Sequence, residues 1–179
     1  MSMLKNIWVL AEKMDTLAEL CAGGRHFGEK VTVLLTGPRD NAQAAMRKGA
    51  DQVYWLGETN SEIIMEDYTE TIYQLLADKK PDVLLTGNTK RIKVVAARLA
   101  ARLGTSVLTD AMELVAEGDS LITKRMIYGG AAIASERSKS PVVIVSVGAG
   151  VLALRRKMKD ARELLKPSAL LPLSQKSNL

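Results

Sequence analysis

Cysteine and histidine are each present once, as Cys21 and His26, so this chain has no internal disulfide and no zinc cage of Cys and His ligands. Aromatic residues make up 4%, too few for the stacking platforms of single-stranded nucleic-acid binders. No apolar run reaches the roughly 18–20 residues a membrane helix needs. The opening MSMLKNIWVLAEK lacks the pattern of a secretory signal, and a soluble cytoplasmic domain is expected. The phosphate-loop, dinucleotide-fingerprint and nucleophile-elbow glycine patterns are all missing. A standard catalytic domain is not visible.

What is present is ordinary globular material. The chain has 179 residues, 47% hydrophobic and 25% charged, enough for one real core. Its charge is uneven. Residues 1–150 carry 18 basic and 18 acidic residues, whereas 151–179 carry 7 basic and 2 acidic, so the tail holds the whole net charge of +5. The pI near 9.3 therefore describes a tail and not a basic face, and no nucleic-acid partner is expected.

Short apolar runs alternate with amphipathic segments through the first two thirds. LKNIWVL (4–10), KVTVLLT (30–36), DQVYWLG (51–57) and PDVLLTG (81–87) read as strands. Between them lie predicted helices from about Lys13 to Phe27, over PRDNAQAAMRKGA with Ala42, Ala45 and Met46 facing inward, and from about Ser61 to Asp78. A fourth helix follows in NTKRIKVVAARLAARLG, with Ile92, Val95, Leu99 and Leu103 on one face. Four strand–helix units in series imply a doubly wound α/β fold with a mainly parallel sheet, Rossmann-like and similar to the adenine nucleotide alpha hydrolases.

After Gly104 the helical period disappears. SVLTDAMELVAEGD, LITKRMIYGG, AAIASERSKS and PVVIVSVGAG read as strands, with hairpin turns at Glu117-Gly118-Asp119 and Tyr128-Gly129-Gly130. Antiparallel strands are expected at the later edge of the sheet. The domain is placed at 1–150, with a basic helix (about Leu152 to Leu165) and a tail in 151–179. Arg155, Arg156, Lys157, Lys159 and Arg162 lack the aromatic anchor and wide apolar face of a membrane-surface helix, and read as an interdomain helix.

Few residues carry chemistry. His26 reads as a helix-end residue favoured by the dipole, Cys21 as an inert thiol on an apolar face, and Glu62, Glu66, Asp67 and Glu70 as a solvated acidic face. One loop stands out: Thr86, Gly87, Asn88, Thr89, Lys90 and Arg91 lead from the fourth strand into a helix. Small residues, free amides and two cations there suit a phosphate or carboxylate. Asn88 or Thr89 serves equally as a plain helix cap, so both readings stand.

The order of features resembles the N-terminal domain of an electron transfer flavoprotein alpha subunit. IWVLAE is similar to that family's first strand and GADQVYWL to its third. The stretch PDVLLTGNTKRIKVVAARLAARLGTSVLTDAMEL, with Arg98-Leu99-Ala100, Leu103-Gly104 and Asp110, carries the most specific likeness. RMIYGGAAIA, with Arg125 and Gly129-Gly130, resembles the segment before a Pro-initiated strand, here Pro141 to Val147. The likeness is collective and spans about residues 4–150. Two features depart from it. Ser146-Val147-Gly148 stands where the family commonly has Thr-x-Arg, and the glycine-rich segments of the C-terminal FAD-binding domain have no counterpart in 151–179.

The resemblance implies a truncated or stand-alone relative, acting as a scaffold and docking domain for a beta-like subunit, with no catalytic site of its own. In the complete complex FAD would take electrons from a dehydrogenase and pass them to a membrane quinone reductase or another acceptor. FAD is not expected on this chain alone, and a homodimer is expected where the partner is absent. The alternative is a stand-alone adenine-nucleotide module, comparable to stress-protein domains, holding AMP or ATP on the Thr86–Lys90 loop. It lacks the pyrophosphate loop of ATP-hydrolysing relatives.

Overall fold

A computed structural model describes residues 4–118 and 120–152. The chain opens with β1 (Leu4–Leu10), α1 (Met14–Phe27), β2 (Gly28–Thr36), α2 (Asn41–Arg47) and β3 (Gln52–Gly57). It continues through α3 (Thr69–Lys79), β4 (Val83–Thr86), α4 (Lys90–Leu103) and β5 (Val107–Ala111). Then come β6 (Glu113–Glu117), β7 (Ser120–Ile127), β8 (Ala132–Arg137) and β9 (Val143–Val147). The basic helix and tail expected beyond Leu152 lie outside the described residues.

Six strands form one sheet in the order β3-β2-β1-β4-β9-β5, and every neighbouring pair is parallel. Period-two alternation sends the two faces into separate cores. Ile7, Val9, Val33, Leu85 and Val145 pack with Leu17, Leu20 and Cys21 of α1 on one side. Trp8, Leu10, Leu34, Leu84 and Ile144 meet Ile72 and Leu76 of α3 and Ile92, Val95 and Leu99 of α4 on the other. Each large aliphatic side chain so buried contributes about 1.5–3 kcal/mol of transfer free energy. This is the doubly wound arrangement that the strand–helix alternation predicts.

Pairing of the central strands is pinned at their starts. The Asp82 carboxylate accepts from the backbone N–H of Lys5 and Asn6 at 2.7 and 2.8 Å, and the Val143 N–H donates to the Asp82 carbonyl at 3.0 Å. One residue thus ties β1, β4 and β9 together in register.

The later third differs in detail from the sequence expectation. The antiparallel strands β6, β7 and β8 form their own sheet beside β5, instead of extending the parallel one. SVLTDAMELVAEGD is two strands: β5 belongs to the main sheet, β6 to the small one, and the chain leaves one for the other at Met112. PVVIVSVGAG returns as a parallel strand inserted between β4 and β5, where all five residues of β9 are buried, Ser146 among them. Both expected hairpin turns are present, at Gly118 and at Tyr128-Gly129-Gly130.

Two helical expectations also shift. The segment after Ser61 begins as a loop around Asn60, whose Oδ1 accepts from the N–H of Glu62 and Ile63, and passes through a 3-10 turn at Met65–Tyr68 before α3 starts. Met46 points outward at 48% exposure, because a seven-residue helix buries only Ala45.

Candidate functional site

The sheet reverses winding between β1 and β4: β2 and β3 build out on one side of β1, and β4, β9 and β5 on the other. In such sheets the carboxyl ends of the strands at the reversal leave a crevice, because the connections there diverge to opposite faces. Here that crevice receives the turn after β1 (Ala11–Lys13) and the Gly87–Thr89 loop after β4.

Most polar groups of the sequence-predicted loop are already engaged. Thr86 is fully buried, with its Oγ1 donating to the Val145 carbonyl at 3.3 Å. The Gly87 N–H donates to the Leu10 carbonyl at 3.0 Å, and a Cβ on Gly87 would press on Thr16 Cγ2 at 3.3 Å. Thr89 Oγ1 accepts from the Ile92 N–H at 3.3 Å, making it the N-cap of α4, and the same hydroxyl donates in a short bond to Glu12 Oε2. Asn88 and Lys90 are exposed, and Lys90 has no ion-pair partner among the described residues. Arg91 reaches back to Glu66 at 3.6 Å.

An open cleft of about 310 Å³ lies beside this loop. Of the six predicted residues only Arg91 lines it. The other walls are Glu12 after β1, Thr36 and Gly37 at the end of β2, Asn41 of α2, and Thr59 and Asn60 after β3, with Ile64 and Met65 supplying apolar surface. Sequence reasoning had passed over these residues. Each follows a strand end, the signal that could have found them, since a doubly wound sheet gathers all such positions at one edge. One carboxylate, one guanidinium and several hydroxyl and amide groups make a polar wall suited to a small polar ligand.

A second group of landmarks converges at the carboxyl ends of β5 and β9. Asp110 takes a left-handed conformation (φ 53°) where β5 slips register against β9. Its N–H donates to Ser146 Oγ at 3.0 Å, and its carboxylate meets Lys93 Nζ at 3.1 Å. Arg125 forms a two-pronged pair with Glu136 at 2.9 and 3.0 Å and reaches Thr109 Oγ1 at 3.4 Å. Glu136 holds the Arg125 guanidinium still more firmly in its charged form, its hydrogen bonds contributing first and its charge second. Ser146 therefore stitches β9 to the bulge in β5.

Of the other titratable groups singled out in the sequence, only Glu66 touches either place, through Arg91. Cys21 is fully buried, and burial pushes its thiol up to about 11 despite the opposing charge of Arg25. His26 is exposed at the end of α1 and meets the Phe27 ring edge-on at 5.1 Å. Glu66, Asp67 and Glu70 face Arg98 and Arg102 along a separate groove between the 3-10 turn and α4. No cluster of three metal-ligating side chains occurs among the described residues. No helix among them is long and apolar enough to cross a membrane.

Fold and site together define a doubly wound α/β domain with a polar crevice at its switch point and an antiparallel sheet carried on one edge. The family model described as the electron transfer flavoprotein domain matches residues 7–167, and the chain belongs to that family. It is 34% identical over 151 residues to an Escherichia coli K12 protein named for an electron transfer flavoprotein subunit, YdiR. It is 30% identical over the same length to Protein FixB of Salmonella typhimurium. Both matches cover 84% of this chain and 48% of the relative, so the chain spans about half the length of the curated relatives it matches. Among solved structures, maleylacetate reductase from Agrobacterium tumefaciens overlaps 86% of this chain and 43% of its own, at a TM-score of 0.36 and 14% identity; this likeness carries nothing about function.

Proposed function

We propose that this chain is the alpha-type N-terminal scaffold of an FAD-dependent electron carrier, docking a beta-like subunit and having no catalytic site of its own. The observation that carries this reading is the outer surface of the small sheet. Met126 and Ile133 are 54% and 69% exposed there and sit directly opposite each other on β7 and β8, and Tyr128, 83% exposed, lies in the turn that joins these strands. Large apolar side chains left exposed next to one another on a sheet face are what a partner surface needs. In this reading FAD belongs to the complete complex. The assembly would run in the cytoplasm, between a dehydrogenase and a membrane quinone reductase or another acceptor, and the exposed surface would close on a second copy when the partner is absent.

The test is reconstitution. Mixed with a beta-like subunit, the chain should co-elute from a sizing column, and Ile133→Ser should weaken that complex. Elution of the wild-type chain by itself at tens of micromolar would reject the docking role.

A second reading is supported by the cleft itself: a small adenine nucleotide such as AMP, with Arg91 towards its phosphate and Glu12 towards its ribose hydroxyls. Lys90 lies in the same first turn of α4. Calorimetric titration with AMP and ATP decides it. Micromolar binding lost in Arg91→Ala would establish the module, and no heat from either ligand would remove it.

A further inference from the structure

The described chain ends on a built contact. Glu19, one turn before the apolar Gly23–Gly24 stretch of α1, accepts the Gly150 N–H on Oε2 at 2.8 Å and the Leu152 N–H on Oε1 at 2.9 Å. Both carboxylate oxygens are thus used to hold two backbone amides 131 and 133 residues away in sequence. One turn further along α1, Gly23 faces the Leu152 side chain so closely that a Cβ at position 23 would overlap Leu152 Cδ1. Leu152 is 7% exposed and joins the core beneath α1, with Val151 packed beside it. Gly150 supplies the left-handed turn (φ 82°) that brings the two amides round to the carboxylate.

We infer that Glu19 and Gly23 form a seat on α1 that fixes the position and direction in which the chain leaves the domain after β9. The carboxylate orients the backbone through two charge-assisted hydrogen bonds, and the missing side chain at position 23 admits Leu152 as a knob. Neither part substitutes for the other: the hydrogen bonds set direction, and the knob sets depth. A seat of this kind makes the junction from Gly148 to Leu152 a fixed part of the domain instead of a free linker. This holds whether the chain acts as a scaffold or as a nucleotide module.

The experiment is amide hydrogen exchange on the full 179-residue chain, read at Gly150 and Leu152, with Val145 in β9 as the internal reference. Glu19→Ala should speed exchange at both amides by about tenfold or more while leaving Val145 unchanged, because a charge-assisted partner is lost locally. Glu19→Gln, which keeps one acceptor, should fall between Glu19→Ala and wild type. Leu152→Ala provides a variant that leaves α1 untouched and should also speed exchange at Gly150. Unchanged exchange at residues 150 and 152 in Glu19→Ala, or an equal rise at Val145, overturns the seat.

Discussion

Thr89 and Glu12 are joined across the switch point of the sheet: the Thr89 hydroxyl donates to the Glu12 carboxylate while accepting the Ile92 N–H at the start of α4. One side chain therefore caps a helix and positions an acid on the cleft wall. Thr89→Ala should cost about 1 kcal/mol of stability, the usual value of an N-cap, and Thr89→Ser should recover most of it. Urea denaturation of the three proteins is the check. Equal midpoints would mean the hydroxyl does not stabilise the helix.

A second prediction concerns acid. Arg25 and Asp51 pair at 2.6 Å, and Asp51 Oδ2 also accepts the Val31 N–H at 2.8 Å, tying α1 to the start of β3 and to β2. The hydrogen bond from Arg25 holds the Asp51 carboxyl below the usual carboxylate range against the opposing effect of burial, with the Val31 N–H and the charges of Arg25 and Lys30 adding smaller contributions in the same direction. A lowered folded value means stability that is complete above the unfolded pKa, near 4, and lost as pH falls through the folded one. The side chains are 45% and 38% exposed, so solvent screening limits the contribution to about 1 kcal/mol or less. Asp51→Asn should lower the urea midpoint at pH 7, and the gap to wild type should close in acid. A gap independent of pH would show that the ion pair contributes nothing.

Cys21 gives a third. With the thiol raised to about 11 by burial, roughly a thousandth of it is ionised at pH 8. It is also fully enclosed by the core beneath α1. Labelling by a disulfide reagent should be slow in the native protein and should accelerate with urea in parallel with unfolding. Rapid labelling without denaturant would reveal local opening of α1 and contradict the packing described.

How much of this was legible in the sequence depends on the range of the signal. Period-two and helical patterns expose the parallel core because Ile7, Val9, Leu17 and Leu99 obey local rules, and the N-cap at Thr89 and the stop at Gly104 (φ 64°) are local too. The separation of β6–β8 from the main sheet is not local. Nothing in SVLTDAMELVAEGD marks the break at Met112, which arises because the backbone there pairs with Lys124 (Met112 N–H to the Lys124 carbonyl, 2.8 Å). The cleft was missed for the same reason. Glu12, Thr36, Thr59 and Asn60 are unremarkable singly, and only the strand order brings them to one edge. Arg91 was visible because it sits in a loop whose composition already suggested a site.

The last prediction sets stability against function at one residue. Tyr128 sits at φ 52° and is followed by Gly129 and Gly130, also left-handed, at the tip of the β7–β8 hairpin. The glycines accept that conformation without cost, but a tyrosine does not, and the expected penalty is about 1–2 kcal/mol. The side chain is 83% exposed, so packing among the described residues does little to offset it. Strain of this kind persists where the residue is needed elsewhere, and an exposed tyrosine beside Met126 and Ile133 is a natural anchor for the proposed beta-like partner. Tyr128→Asn, which tolerates the left-handed region, should therefore raise the thermal midpoint of the chain while weakening the complex at least about tenfold, the loss of a modest interface anchor. Both measurements are needed. A variant that is more stable and binds as well as wild type would place the tyrosine outside the interface, and one that is less stable would show that the turn needs the ring.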